Sequence, residues 1–230
     1  MSNTNWDLLL ERCREQSHAV LLMSNQYSDA HGRFELMYGE GVNRTFLTPS
    51  ELNDFGGLAF GHIGYHYKNR TFQHLHPQVI EDPSWPAFYF FEPLRYRLER
   101  RDGSVETNME LPSRGGFPRE KENLPILDWK ATETPQSYLE KVEEIKECIR
   151  NGVFYEMNFC QSFHAECEID PYRLFWELNR KAPNPFAVFY KLEDCFLIGS
   201  SPERFLQKTG DALISQPIKG TIKRSGADDL

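Results

Sequence analysis

Short apolar and aromatic segments, broken at close intervals by glycine and aspartate, leave this chain few choices other than antiparallel sheet. Leu94 to Arg100 and Ser104 to Glu110 alternate on either side of Arg101-Asp102-Gly103, and Asp-Gly between alternating segments favours the tight turn of a hairpin. Arg204 to Lys208 and Ala212 to Ser215 flank Gly210-Asp211 in the same way, and Phe186 to Tyr190 with Cys195 to Gly199 makes a third pair. Ala19 to Met23 reads as a buried strand, and further strands are expected at Gly57 to Tyr65 and Pro86 to Glu92. The 17 Phe and 10 Tyr suit packed sheets rather than disorder.

Helices interrupt this pattern in three places. Trp6, Leu9, Leu10 and Cys13 recur at helical spacing. Thr134-Pro135 opens a second helix, with threonine as cap and proline at the first position. Its core face would be Tyr138, Val142, Ile145 and Ile149, and Gly152 ends it. A strand from Val153 to Phe163 is expected next. Asp170-Pro171 then opens a third helix with Leu174, Phe175 and Leu178 inward. The fold class is therefore α+β, with largely antiparallel sheet. Residues 111–134 carry prolines, glycines and charges without an apolar period, so they read as a linker between a 1–110 region and a 135–230 region.

Charge and composition exclude some functions. At a net charge of −8 the chain lacks the basic surface that non-specific nucleic-acid binding requires. No apolar run approaches membrane-spanning length, and the first residues lack the basic and apolar regions of a signal peptide. Five cysteines without a CxxC spacing suggest free thiols in a reducing compartment. A soluble, cytoplasmic protein is the expectation.

Two runs near the end hold the candidate chemistry: Ser200-Ser201-Pro202-Glu203-Arg204-Phe205 and Pro217-Ile218-Lys219-Gly220-Thr221. An active lysine must lose its proton, which a dry surround or a nearby cation promotes. Pro217 and Gly220 would restrict and then free the backbone around Lys219, letting the main chain approach a ligand. Thr221 adds a hydroxyl. An acid that protonates a leaving hydroxyl must keep its proton near neutral pH, and Glu203, behind the rigid Pro202, is placed for that role. By spacing alone, a solvated turn lysine and an exposed glutamate paired with Arg204 are the commoner readings. His62 and His66, with His74 and His76 beyond, invite a metal reading, yet in a strand the first two face one way and stand too far apart for one ion. Cys160, His164 and Cys167 alternate with aromatics in a manner that suits sheet better than a ligand cage. Gly-rich phosphate loops do not occur.

At these runs the sequence resembles the chorismate-utilising enzymes, and within them the aminodeoxychorismate synthase component I branch. The resemblance also covers Gly152-Val153-Phe154-Tyr155-Glu156-Met157-Asn158-Phe159 and Ala182-Pro183-Asn184-Pro185-Phe186, and more loosely Leu21-Leu22-Met23-Ser24 and the Gly57 to Tyr65 segment. It implies sheets packed as a sandwich with flanking helices, as in anthranilate synthase component I. It also implies amination of chorismate at C4 in para-aminobenzoate and folate biosynthesis, with ammonia from a glutamine amidotransferase subunit and with Mg²⁺. By this resemblance Glu203 is the general acid for the C4 hydroxyl and Lys219 the covalent nucleophile at C2, with Gly220, Thr221 and Glu156 at the substrate. Anthranilate synthases have alanine where Lys219 stands, and water-using relatives have lysine where Glu156 stands. Most relatives have glutamine at that second position, so Glu156 is a departure.

Ser24, Pro185, Phe186 and Ala187 match the place where relatives hold tryptophan. The resemblance further implies that the chain is the N-terminal part of a longer enzyme, inactive by itself, with the Mg²⁺ ligands in the part that follows. Two other functions stand beside this one: anthranilate synthase component I, and a non-catalytic module that binds tryptophan or a partner.

Overall fold

A computed structural model describes residues 6–72, 85–111 and 125–218. Along the chain these form α1 (Trp6–Arg12), β1 (His18–Met23), β2 (Phe34–Glu40), β3 (Arg44–Phe46), α2 (Pro49–Asn53), β4 (Phe60–Ile63) and α3 (Lys68–Thr71). There follow β5 (Phe88–Glu92), β6 (Arg95–Arg100), β7 (Val105–Thr107), β8 (Lys130–Ala131), α4 (Pro135–Arg150) and β9 (Phe163–His164). The last elements are α5 (Pro171–Lys181), β10 (Phe186–Leu192), β11 (Cys195–Ser201), β12 (Arg204–Thr209) and β13 (Ala212–Gln216).

The centre is a six-stranded antiparallel sheet in the order β11-β10-β1-β2-β6-β7. Successive side chains of a strand point to opposite faces, and here both faces are apolar. On one face Leu21 stands between Phe189 and Tyr38, and these pack with Leu9, Leu10 and Cys13 of the N-terminal helical turns and Tyr172 and Phe175 of α5. Burying a side chain of the size of Phe189 contributes about 1.5–3 kcal/mol. On the other face Val20, Leu98, Tyr190 and Leu192 meet Phe60 and Phe91, which belong to a second antiparallel sheet, β3-β5-β4. Helices, sheet and sheet thus form three layers, a sandwich with flanking helices. The two sheets approach closely, since a Cβ at Gly39 would lie 2.6 Å from the Phe60 ring, and within the second sheet β4 pairs β5 at Gly61 so tightly that a Cβ there would lie 2.1 Å from the Tyr89 carbonyl oxygen.

Strands β12 and β13 form a separate hairpin. All three hairpins expected from the turn residues are present, β6-β7, β10-β11 and β12-β13. No helix among the described residues is long and apolar enough to cross a membrane.

The sheet pairing divides the chain differently from the boundary expected at residue 135. β10 lies beside β1, so the N-terminal strands and residues 186–201 share one sheet. Contacts group Met1–Arg119 with Pro171–Leu230, and Glu120–Asp170 forms a unit of its own. In that unit Thr134 caps α4 by accepting the Ser137 N–H at 3.1 Å, and Tyr138 stacks on Phe159 with centroids 5.0 Å apart.

Two expectations are corrected here. The strand expected over Val153 to Phe163 is reduced to Phe163–His164, which pairs with Lys130–Ala131. Ser162 O still accepts the Thr132 N–H at 2.9 Å beside that pair, but among the described residues 153–161 pair with no strand, and extended chain becomes sheet only where a neighbour accepts its backbone groups. The buried positions of α5 are Tyr172, Arg173, Phe175 and Asn179, while Leu174 and Leu178 are half-buried. Tyr172 packs on Phe189 with centroids 5.0 Å apart, and Asn179 exchanges amide hydrogen bonds with Asn25. These two anchors set the rotation of the helix.

Candidate active site and ligand cavity

The cavity begins where β1 ends. Ser24, the residue after β1, donates its backbone N–H to Glu35 O at 3.0 Å and its hydroxyl to Glu35 Oε2. The chain then turns through Asn25 and Gln26, both with positive φ, a conformation that asparagine tolerates better than most residues. The Asn25 amide fixes the turn by donating to Asn179 Oδ1 and to Asn184 O, each at 2.8 Å. Asn184 in turn donates to Ser200 O at 3.0 Å. The rigid Pro183-Asn184-Pro185 entry to β10 is thereby tied to the end of β1.

On the face that carries Leu22, Met37 and Val188, this end of the sheet opens into a cavity of about 590 Å³. Ser24, Glu35, Arg101, Pro185, Phe186 and Ala187 line it together with Glu203. All four residues matched to a tryptophan pocket therefore share one cavity. Its polar groups have mixed charge. Arg101 donates to Tyr27 O at 2.7 Å and to Asp29 O at 3.2 Å. Its buried Nε makes no hydrogen bond among the described residues and stands 3.5 Å from Glu35 Oε1.

Strand β12 forms the far wall. Arg204 pairs with Asp29, donates to Gln216 Oε1 at 2.5 Å and lies 5.2 Å over the Phe186 ring. Gln207 adds a bond to His31 O at 3.2 Å. Burial would raise the Asp29 carboxyl, but the His31 amide and the Arg204 guanidinium outweigh it and hold that group below the usual carboxylate range.

Glu203 sits half-buried at the start of β12. Its backbone is fixed by Ser201, whose Oγ accepts the Glu203 N–H at 3.2 Å. In the hairpin Arg204 stands opposite Gln216, so Glu203 and Pro217, the next residues outward, leave it at the same end. Lys219, Gly220 and Thr221 lie outside the described residues, as do His74 and His76. Glu156 is exposed and belongs to the Glu120–Asp170 unit.

His62 has structural partners, stacking on Trp85 with centroids 4.5 Å apart and bonding Pro86 O at 2.7 Å. Among the described residues no three His, Cys, Asp or Glu side chains converge as a metal cage.

Sequence reasoning missed Asp29, Glu35, Arg101 and Arg204 as cavity groups. Alternation of Phe34, Leu36 and Tyr38 around Glu35 is a legible strand signal and would have found β2. Arg101 and Arg204 were legible only as a turn residue and as a neighbour of Glu203, because their partners are distant in sequence.

A family model described as chorismate binding enzyme matches residues 22–229. The chain is 28% identical over 195 residues to aminodeoxychorismate synthase component 1 of Escherichia coli (strain K12), a match to 80% of this chain and 43% of that protein. It is 29% identical over 187 residues to anthranilate synthase component 1 of Saccharolobus solfataricus, covering 80% of this chain and 44% of that protein. The chain thus spans less than half the length of these curated relatives. Among solved structures, anthranilate synthase component I from Streptococcus pneumoniae TIGR4 superposes with a TM-score of 0.58 at 21% identity, over 85% of this chain and 53% of that one. That likeness concerns the fold. With 22–229 matched by the family model, the chain belongs to the chorismate-binding enzyme family.

Proposed function

We propose that the chain is part of an enzyme that aminates chorismate at C4 to give 4-amino-4-deoxychorismate, with ammonia supplied by a glutamine amidotransferase partner. In this reading the neutral Lys219 amine attacks C2. The ring double bonds shift toward C4, and the C4 hydroxyl departs as water with the proton of Glu203. Ammonia then adds at C4, the double bonds shift back, Lys219 leaves C2 as the neutral amine, and a proton of the new ammonium returns to the Glu203 carboxylate.

The observation that carries the reading is the register of β12 with β13. Arg204 opposite Gln216 sends Glu203 and Pro217-Ile218, which precede Lys219 in the sequence, out of the hairpin at one end. Glu203 lines a cavity, and the similarity to aminodeoxychorismate synthase component 1 lends support, as does lysine rather than alanine at position 219.

The test is mass spectrometry of the full-length enzyme incubated with chorismate. An adduct on Lys219 is expected, with loss of turnover in Lys219→Ala; full activity of that variant without an adduct would end the reading. The comparable similarity to anthranilate synthase component 1 favours a second reading, in which pyruvate is released during turnover. A pyruvate assay on the same enzyme separates the two. The cavity beside Ser24, Pro185, Phe186 and Ala187 is proposed as the seat of an amino acid, tryptophan by the resemblance.

A further inference from the structure

Arg204 follows Glu203 directly, and its guanidinium is held from three directions. Two of its N–H groups meet the Asp29 carboxylate, Nη1 at 3.4 Å from Oδ1 and Nη2 at Oδ2. Nη1 also donates to Gln216 Oε1 at 2.5 Å, and the planar group lies 5.2 Å over Phe186. Its side chain is 9% exposed and that of Asp29 11%. The residues gripped belong to the loop after β1, the start of β10 and the end of β13. Gln216 lies three positions before Lys219.

A buried ion pair is weak evidence for stability, because desolvation offsets its attraction. It does fix geometry, and a planar fork that grips Asp29 and Gln216 while stacking on a ring cannot be replaced by the point charge of lysine. We propose that Arg204, with Asp29, is a positioning residue for the chorismate chemistry. It clamps the start of β12, which carries Glu203, to the end of β13, which leads to Lys219. The inference rests on the reading of Glu203 as general acid. Displacing a reacting group by about 1 Å can cost on the order of 100-fold in rate, so a looser clamp should act on turnover rather than on affinity.

The experiment compares Arg204→Lys, Asp29→Asn, the double variant and Glu203→Gln in the full-length enzyme supplied with ammonia. Arg204→Lys and Asp29→Asn should each lower kcat about 10- to 100-fold while KM for chorismate changes less than about two-fold. The double variant should be no worse than either single one, as for residues acting as a unit. Hydrogen exchange should quicken at the amides of 201, 203–205 and 214–216 and stay unchanged in β1. Parental kcat in both single variants while Glu203→Gln is inactive overturns the clamp and leaves the acid assignment standing. Full activity in Glu203→Gln ends the acid assignment. In that case unchanged exchange at 201, 203–205 and 214–216 overturns the clamp as well.

Discussion

Arg12 reaches from α1 to the carboxylate of Glu40 on β2, with Nε 3.0 Å from Oε2, although the Glu40 side chain is only 1% exposed. The same carboxylate accepts the Tyr38 hydroxyl at 2.5 Å and Arg95 Nη1 at 3.4 Å. Burial by itself would raise the Glu40 pKa. The Arg12 and Tyr38 hydrogen bonds and the Arg12 charge outweigh it, and the carboxyl stays below its usual range. The pair couples the helical layer to the central sheet.

Removing the cation should harm the protein more than neutralising the acid. Arg12→Ala leaves a carboxylate buried beside Tyr38 with only the longer contact to the largely exposed Arg95 as a cation, which should cost about 3 kcal/mol. For a domain of this size that lowers Tm by about 6–12 °C. Glu40→Gln keeps an oxygen for Tyr38 and leaves the partly exposed Arg12 free to find water, so about 1–2 kcal/mol is expected. Urea unfolding at pH 7, followed by tryptophan fluorescence, measures both. The reverse order would mean that the network contributes packing rather than charge.

Acid should weaken the fold in two stages. His18 and His62 join the two sheets: His18 Nε2 lies 2.7 Å from the Tyr89 hydroxyl, and His62 bonds Pro86 O and Tyr190. A carbonyl can only accept, so His62 Nε2 carries the proton and Nδ1 receives the Tyr190 hydroxyl. Burial lowers both pKa values from the usual 6.5, against a small opposing pull of Glu193 on His18 and of the Pro86 carbonyl on His62. For a base with a depressed folded pKa, the unfolded chain binds the proton first. Stability is therefore complete above about pH 6.5 and falls as pH drops from there. Glu40 and Asp29, depressed from 4.5 and 3.8, lose their contribution only as pH falls below those values. Urea midpoints from pH 8 to pH 3 should show a first decline near 6.5 that His18→Gln/His62→Gln removes and a second that it leaves. A single decline near pH 4, unaltered in the double variant, would contradict the histidine assignment.

Local rules made much of the fold legible. Asp102-Gly103 and Gly210-Asp211 marked two hairpins because turn chemistry acts over a few residues, and Thr134-Pro135 marked a helix start for the same reason. The sheet order was not legible, since β1 finds β10 across more than 150 residues and nothing local announces the pairing. Val153 to Phe163 shows the converse: its apolar character reads as strand, yet strand formation depends on a neighbour that propensity cannot supply. Ser24, Pro185, Phe186 and Ala187 were singled out through their resemblance to a family pattern, and they line one cavity. Asp29 and Glu35 escaped because a carboxylate becomes informative only when its partner, Arg204 or Ser24, is known.

The mixed charge of the cavity leads to the last prediction. About 590 Å³ lies in the range of small-molecule pockets, and the lining offers an aromatic ring at Phe186, a carboxylate at Glu35 and the guanidinium of Arg101. A free amino acid with an aromatic side chain complements all three, its ring against Phe186, its ammonium toward Glu35 and its carboxylate toward Arg101. Calorimetric titration with tryptophan should therefore detect binding that Glu35→Gln and Phe186→Ala each weaken by about 10-fold or more, or ~1.4 kcal/mol. Ser24→Ala should weaken it less, because the serine acts by orienting Glu35. N-acetyltryptophan, without the ammonium, should bind more weakly to the parent and lose little further in Glu35→Gln. Equal affinity for both ligands in the parent, or tryptophan affinity indifferent to Phe186→Ala, would remove tryptophan from this cavity.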